Sequence, residues 1–309
     1  MLRRDFVAAT GAASLAIARA PALLGLGPRP DLVIRGGTVI DGTGAPGFEA
    51  DLAVAGGRIT ALGRRLSSIG AVEIDARGLA VAPGFIDIHS HGDSNLPEDP
   101  RGESLIRQGL TTIVVGADGD SDATGAPDDT FAAYWNKVAG WHSAVNVASM
   151  VGLGAIRGRL IGDKDRPATP GEVATMRGWV AAALAGGACG ASTGLEYTPG
   201  AFATREELSA VSSPLARHRL PYATHMRNED DRLLEAIDES IAIARGAGCP
   251  LEISHLKAQY LRNWDKQPQA FARIAAARAA GVDVTFDRYP YTAYQTGLTN
   301  LFPVWSRDG

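Results

Sequence analysis

Residues 80–91 read AVAPGFIDIHSH, an apolar run that ends in two histidines one residue apart. In a β-strand, side chains at positions i and i+2 point to the same face. His89 and His91 are therefore expected to converge on one point at the carboxyl end of a mostly buried strand. Neutral imidazole is a good zinc ligand, so the pair is a candidate metal site, although a surface pair beyond a strand end has the same pattern.

Two further histidines also close short apolar runs. His225 ends the run LPYATH and His255 ends the run PLEISH, so four of the chain's 6 histidines follow predicted strands. This placement strengthens the prediction of a metal site. The remaining two, His142 in a loop and His218 at a polar helix end, are interpreted as structural or solvent-facing.

Composition sets broad limits on the class of protein. The 309 residues are 45% hydrophobic and 21% charged, with a formal net charge of -4, which is ordinary for a globular protein. There is no basic stripe, so a nucleic-acid partner is not expected. Two cysteines, Cys189 and Cys249, do not make a disulfide framework and are interpreted as core residues.

Residues 1–27 have the pattern of an export signal. Arg3, Arg4 and Phe6 precede a weakly apolar, alanine-rich stretch, which resembles a twin-arginine signal. We therefore expect a periplasmic or secreted protein; an ordinary secretory signal and an uncleaved anchor are the alternatives. No other stretch is long and apolar enough to be expected to span a membrane.

The rest of the chain divides into two predicted domains. Residues 28–80 contain short apolar pieces separated by glycine pairs, which predict hairpins and a small β-sandwich-like domain. Residues 81–309 alternate apolar runs with helical patterns, which predicts a parallel α/β sheet. The predicted strands are 81–88, 111–115, 145–151, 189–193, 221–225, 251–255 and 282–287, and the clearest helices are 171–186, 229–247 and 267–280.

The four histidines all fall where a (β/α)8 barrel carries its active site, at the carboxyl ends of strands. We therefore expect an α/β TIM-type barrel with about seven of its eight strands present. An open, doubly wound sheet is the rival fold, but no glycine-rich phosphate loop follows the first strand.

A set of motifs, taken in order, connects the chain to a known family. PGFID at 83–87 leads into the histidine pair, and it is followed by STGLEYTPG at 192–200, YATHMR at 222–227, ISHLK at 253–257 and DRYPY at 287–291. From about residue 31 onward this order resembles the D-aminoacylase (N-acyl-D-amino-acid deacylase) branch of the amidohydrolase superfamily.

The resemblance implies a zinc site. His225 and His255 match the histidines that hold a tight zinc ion, and His89 and His91 match the pair at a second, weaker metal position. Asp118 falls where the best-known members have a bridging cysteine, and a carboxylate is also a competent zinc ligand. A turn aspartate is the alternative interpretation. Whether one or two metal ions bind is left open.

Substrate contacts also follow from the resemblance. Lys257 lies two residues past His255, so strand alternation predicts that it faces the same side. Lys257 and Tyr289 match positions that resemble contacts for the substrate carboxylate. Arg227 lies two residues past His225 and is another candidate cation. A solvated lysine at a strand end is the alternative for Lys257.

The expected activity is zinc-dependent hydrolysis of the amide bond of small N-acyl-D-amino acids. A cyclic-amide hydrolase of the same superfamily, dihydroorotase- or hydantoinase-like, is one alternative, and an inactive, truncated metal-binding chain is another. In the family, the eighth strand carries an aspartate that serves as general base. We expect that residue beyond position 309, which makes this chain a C-terminally truncated form that is inactive alone. No sequence feature indicates the oligomeric state.

Overall fold

A computed structural model describes residues 29–308, which divide into two compact units after Gly84. The predicted export signal, 1–27, lies outside the described residues. None of the helices in this range is long and apolar enough to cross a bilayer.

The first unit is a mixed five-stranded sheet in the order β3-β2-β1-β4, with β5 pairing the far end of β1. Its strands are β1 (Leu32–Val39), β2 (Phe48–Ala55), β3 (Arg58–Gly63), β4 (Val72–Asp75) and β5 (Ala80–Val81). Strands β1, β2 and β3 are antiparallel neighbours, whereas β4 and β5 run parallel to β1. Gly56 and Gly57 join β2 to β3 with φ values of 56° and 71°, the backbone that a two-residue hairpin turn requires.

The second unit contains parallel strands that follow one another in chain order. The strands are β6 (Phe85–Asp87), β7 (Leu110–Val115), β8 (Asn146–Ser149), β9 (Val151–Gly152), β10 (Ala191–Gly194), β11 (Tyr222–His225), β12 (Leu251–Ile253) and β13 (Val284–Phe286). Strand β8 pairs with β7, and β9, just beyond Met150, pairs with β10. The described strands therefore occupy seven consecutive positions, which agrees with the predicted parallel barrel order.

Helices connect these strands, as the parallel pairing requires. They are α1 (Glu103–Ile106), α2 (Phe131–Ala139), α3 (Leu153–Ile161), α4 (Pro170–Ala185), α5 (Arg205–Ser212), α6 (Pro214–His218), α7 (Leu233–Ala247) and α8 (Gln267–Ala279). Helix α4 begins with a capping box, in which Thr169 and Glu172 satisfy each other's backbone N–H groups.

Most predicted elements shift by a few residues at their ends in the structure, and two differences have a clear local cause. The strand predicted at 81–88 is interrupted by Pro83 and Gly84, so β5 ends at Val81 and β6 starts at Phe85. Proline has no N–H for a sheet ladder. The helix predicted at 229–247 begins only at Leu233.

The later start of α7 has a local cause. Asn228 Oδ1 accepts hydrogen bonds from the backbone N–H groups of Asp230 and Arg232, at 3.1 and 2.7 Å. Such local side-chain turns compete with helix formation. Glu229 consequently lies in the loop between β11 and α7 rather than on the helix.

The core of the second unit lies between the strands and the helices. Val115, Tyr222, Leu251 and Ile253 are fully buried on the strands and belong to the same apolar cluster as Ile237 of α7. Burying a side chain of this size contributes about 1.5–3 kcal/mol. This packing fixes the strand ends, from which the polar residues of the candidate site project.

Candidate metal centre

The polar residues of the site follow the carboxyl ends of several neighbouring strands. They are His89 and His91 after β6, Asp118 after β7, Glu196 after β10, His225 at the end of β11, His255 after β12 and Asp287 after β13. Parallel strands bring these ends to one edge, which is the edge where barrels of this kind carry their chemistry.

One oxygen of Asp118 faces all four strand-end histidines. Its Oδ2 lies 3.5 Å from Nε2 of His89 and 3.4 Å from Nε2 of His91. The same oxygen lies 3.8 Å from Nδ1 of His225 and 3.7 Å from Nε2 of His255. The structure therefore brings together the five residues that the sequence analysis selected as metal ligands.

The donor set fits a divalent cation. The separations exceed the N–H···O hydrogen-bond range of about 2.7–3.2 Å. Two ligand atoms that each lie about 2.1 Å from a tetrahedral zinc ion are about 3.4 Å apart, close to the observed values. The other oxygen of Asp118, Oδ1, is buried and has no hydrogen-bond partner among the described residues. Burying a carboxylate oxygen without a partner costs free energy unless a cation compensates for the lost water. A metal ion bound by Asp118 and the imidazoles would supply that cation.

The loop after β7 holds Asp118 in place by close backbone contact. Asp118 itself has a φ of 54°, a left-handed conformation that is unusual for a residue other than glycine. At the next position, Gly119, a Cβ atom would come within 2.6 Å of the backbone nitrogen of Gly194. The hydroxyl of Ser192 accepts a hydrogen bond from the Gly119 N–H at 3.0 Å and donates one to the Gly116 carbonyl at 2.6 Å. The end of β10 thus fixes the aspartate.

Three of the four imidazoles have a second carboxylate on their other ring nitrogen. Asp287 Oδ2 lies 3.1 Å from Nδ1 of His89, and Glu229 Oε1 lies 2.9 Å from Nδ1 of His255. Glu196 Oε2 lies 3.3 Å from Nε2 of His225. Carboxylates in this position orient metal-binding histidines and fix their tautomer.

The sequence analysis did not select these three carboxylates as site residues. Glu196 and Asp287 lie inside quoted motifs at predicted strand ends, so their position was a usable signal. Glu229 had no such signal, because it lies in the segment that was predicted to be helical.

His91 differs from the other three histidines. Its side chain is 63% exposed, and among the described residues its only carboxylate neighbour within 4.0 Å is Asp118. The ring is therefore less firmly held than that of His89, whose side chain is 13% exposed.

The carboxylates and imidazoles shift one another's pKa within the chain. Burial lowers the pKa of His89, but the neighbouring carboxylates of Asp118 and Asp287 outweigh it and raise the value to about 10. Burial also lowers the pKa of His225, whereas Asp118 and Glu196 raise it to about 9. Burial raises the pKa of Asp118, but the imidazoles hold it well below its usual range. A metal ion must displace these protons, so its binding weakens as the pH falls.

Lys257 and Tyr289 lie beside the metal centre. Lys257 is only 8% exposed, which is inconsistent with a solvated lysine. Its Nζ forms an ion pair with Glu229 and lies 3.0 Å from Nδ1 of His255. The same nitrogen lies 5.6 Å from the ring centroid of Tyr289, whose buried hydroxyl has no hydrogen-bond partner among the described residues. This hydroxyl is free to donate to a bound anion.

A cavity adjoins these two residues. It has a volume of about 720 Å³ and is lined by Lys257 and Tyr289 together with the aromatic side chains of Tyr260, Trp264 and Tyr294. A cavity of this size accommodates a small organic substrate.

Arg227, the other predicted substrate cation, lies between the loop after β10 and helix α7. Its Nε and Nη2 donate to Glu239 of α7 at 3.0 and 3.1 Å. Its Nη1 and Nη2 also donate to the backbone carbonyls of Ala201 and Ala203 at 2.7 and 2.9 Å. The guanidinium thus joins the loop after β10 to α7, and its role as a substrate cation stays a prediction. The strand alternation behind that prediction stops at His225, where β11 ends.

Comparison with known proteins shows similarity to the amidohydrolase family. A family model described as the amidohydrolase family matches residues 72–298. D-aminoacylase of Alcaligenes xylosoxydans xylosoxydans is 40% identical over 285 residues, which are 87% of this chain and 59% of that protein. N-acyl-D-glutamate deacylase of the same organism is 38% identical over 284 residues, 87% of this chain and 58% of that protein.

A solved structure shows the same relationship. The N-acyl-D-glutamate deacylase of Bordetella bronchiseptica, complexed with zinc and a phosphonate inhibitor that mimics the tetrahedral intermediate, superposes with a TM-score of 0.81. It is 38% identical to this chain, and the match covers 85% of this chain and 59% of the deacylase. The chain therefore spans about three fifths of the length of these relatives.

Proposed function

The chain belongs to the amidohydrolase family, and from this premise we propose that it hydrolyses the amide bond of N-acyl-D-amino acids. The products are a carboxylate and a D-amino acid. The observation that carries the proposal is the single Asp118 oxygen that faces four strand-end imidazoles, next to the cavity that contains Lys257. Identity of 40% to a D-aminoacylase, across most of the chain, supports the substrate class.

Zinc is the proposed metal. Asp118, His225 and His255 would hold one tight ion, and His89 and His91 would hold a second, weaker one. When bound, zinc supplies Lewis acidity, which polarises a carbonyl group and makes water reactive near neutral pH. The exposed, less constrained ring of His91 supports the weaker second site.

Substrate orientation is assigned to residues on the cavity wall. Tyr289 offers an unpaired hydroxyl and Lys257 a buried ammonium group, and both suit the carboxylate of an N-acyl amino acid. With the carboxylate held there and the acyl carbonyl at the metal centre, a third contact, to the side chain, selects one hand at the Cα atom. The proposed preference for D-amino acids rests on the similarity to D-aminoacylase and N-acyl-D-glutamate deacylase.

Side-by-side rates test the proposal. The zinc-loaded product of the full gene, rather than residues 1–309 alone, is assayed with N-acetyl-D-methionine, N-acetyl-L-methionine and the cyclic amides hydantoin and dihydrouracil. We expect hydrolysis of the D-compound at least tenfold faster than that of the L-compound. A preference for the L-compound contradicts the stereochemical proposal, and activity on the cyclic amides alone favours the hydantoinase-like alternative.

A further inference from the structure

Glu229 is a fully buried carboxylate in the loop between β11 and α7. Its backbone is held by the Gln259 N–H, which donates to the Glu229 carbonyl at 2.8 Å. Burying an ionised carboxylate is costly unless several donors compensate for the lost water. The position of Glu229 therefore depends on the groups that its side chain contacts.

The two oxygens of Glu229 serve different parts of the site. Oε1 lies 2.9 Å from Nδ1 of His255. Oε2 forms the ion pair with Lys257 and accepts a hydrogen bond from Nε2 of Gln259 at 2.8 Å. The ion pair with Lys257 and the hydrogen bond from Gln259 both use Oε2 as an acceptor, which is the role of a carboxylate oxygen.

A competition exists at Nδ1 of His255. The ammonium of Lys257 lies 3.0 Å from this nitrogen and, as a donor, would require Nδ1 to carry a lone pair. That arrangement moves the ring proton to Nε2, the nitrogen that faces Asp118 at 3.7 Å. A protonated Nε2 has no lone pair for a metal ion.

We propose that Glu229 is a positioning residue that settles this competition. By accepting from Nδ1–H with one oxygen and engaging Lys257 with the other, it leaves the Nε2 lone pair of His255 free for the metal. It also keeps the ammonium of Lys257 at the cavity, 5.6 and 5.4 Å from the ring centroids of Tyr289 and Tyr294. The inference rests on the proposed function, because it assumes a metal ion at the histidines.

The substitution Glu229→Gln tests the assignment. A glutamine has only one acceptor oxygen, which turns to the Lys257 cation, so its NH₂ group faces Nδ1 of His255. We expect the His255 proton to move to Nε2 and the zinc affinity to fall about 10–100-fold, the usual effect of losing an outer carboxylate. The tautomer is observed directly by ¹⁵N NMR of histidine-labelled, metal-free protein, with the His255 signal assigned from His255→Ala.

A double variant separates positioning from simple structural support. In Glu229→Gln/Lys257→Met the competing cation is absent, so the glutamine carbonyl can accept from Nδ1–H again. We expect the Nδ1–H tautomer to return and the zinc affinity to recover at least tenfold over the single variant. If the single variant does not fold, the double variant tests the proposal instead, because it has the same net charge as the wild type. It should have the Nδ1–H tautomer of His255 and bind zinc with an affinity within tenfold of the wild type. Glu235→Gln, an exposed position on α7, is the matched control.

The outcomes distinguish this inference from the proposed function. Wild-type protein that binds no zinc contradicts the metal site itself. Wild-type protein that binds zinc, with Glu229→Gln binding it equally well and His255 keeping its Nδ1–H tautomer, overturns the role of Glu229 alone. A double variant that folds but has the Nε2–H tautomer also overturns it.

Discussion

The Oδ2 atom of Asp287 lies 3.1 Å from Nδ1 of His89, and this contact leaves Nε2 of the same ring facing Asp118. The other oxygen, Oδ1, accepts a hydrogen bond from the backbone N–H of His255 at 2.7 Å. One carboxylate at the end of β13 thus holds the ring of one histidine and the backbone of another. The end of β13 is therefore part of the site, although Asp287 is not one of the predicted ligands.

Replacing Asp287 should weaken metal binding without removing it. In Asp287→Asn the amide can still accept from one partner, but it loses the charge that favours Nδ1–H on His89. We expect zinc affinity at the weaker position to fall by about 10–100-fold, measured by competition with a chromophoric chelator. Asp283→Asn, exposed just before the same strand, is the control. Equal affinities in the Asp287 and Asp283 variants would show that Asp287 does not orient His89.

Removing His255 should have a larger effect, because it is a proposed ligand of the tight ion. His255→Ala leaves Asp118 and His225 as the remaining proposed ligands, and losing one of three protein ligands breaks a zinc site. We expect the zinc content after gel filtration to fall below one tenth of the wild-type value, by elemental analysis. His218→Ala, exposed on α6, should retain the wild-type content. Unchanged zinc in His255→Ala is incompatible with the proposed centre.

The identity of the ligand at Asp118 should set the preference among metals. A carboxylate favours harder ions and a thiolate favours softer ones. We expect Asp118→Cys to keep zinc and to raise the Cd²⁺-over-Mn²⁺ affinity ratio at least tenfold, whereas Asp118→Asn should lose most of its zinc. Asp120→Asn, exposed two residues further on, serves as the control. If Asp118→Asn binds zinc like the wild type, Asp118 is a turn residue and not a ligand.

The sequence was informative where local pattern determines structure. Apolar runs predicted the parallel strands, and the histidines that close them meet at Asp118. The backbone path to Lys257 differs, however, from the predicted continuous strand. Strand β12 ends at Ile253, so simple alternation does not carry Lys257 into the site. It reaches the site after a turn at His255, where φ is 38°.

Local sequence patterns could not predict the contacts between distant parts of the chain. Asp287 and His89 are 198 residues apart, and Glu229 and His255 are 26 apart. Neither pairing has a fixed spacing that could be recognised in one sequence. The same limit applies to Arg227, because its partner Glu239 lies on a helix whose contact with the loop after β10 depends on tertiary packing.

Export by the twin-arginine route stays a prediction, since Arg3 and Arg4 lie outside the described residues. The pair precedes a weakly apolar stretch, and the twin-arginine pathway recognises such a pair. Changing both arginines to lysine should hold a reporter fusion in the cytoplasm, with the periplasmic fraction falling at least tenfold. Arg19→Lys, later in the same segment, should leave export intact. Undiminished export of the double-lysine variant would indicate a different kind of signal.

Glu252 should make the free energy of unfolding of the second unit depend on pH. This residue of β12 is only 9% exposed, and its Oε1 has no hydrogen-bond partner among the described residues. Burial raises the pKa of its carboxyl group to about 7; the Thr285 hydroxyl opposes the shift, and the negative charge of Asp287 adds to it. The folded chain therefore binds this proton more tightly than the unfolded chain does.

The sign of the pH effect follows from the raised pKa. The stabilisation of the folded chain by the Glu252 proton is fully present below 4.5, the pKa of this group in the unfolded chain. It is lost as the pH rises through about 7, the pKa in the folded chain. The loss amounts to roughly 2–3 kcal/mol. Glu252→Gln stays neutral, so its free energy of unfolding relative to the wild type should rise by this amount between pH 4.5 and pH 8. Urea unfolding in the presence of a chelator measures it, with Glu235→Gln as the exposed control. A difference between Glu252→Gln and the wild type that is constant across this range would mean that Glu252 does not titrate on folding.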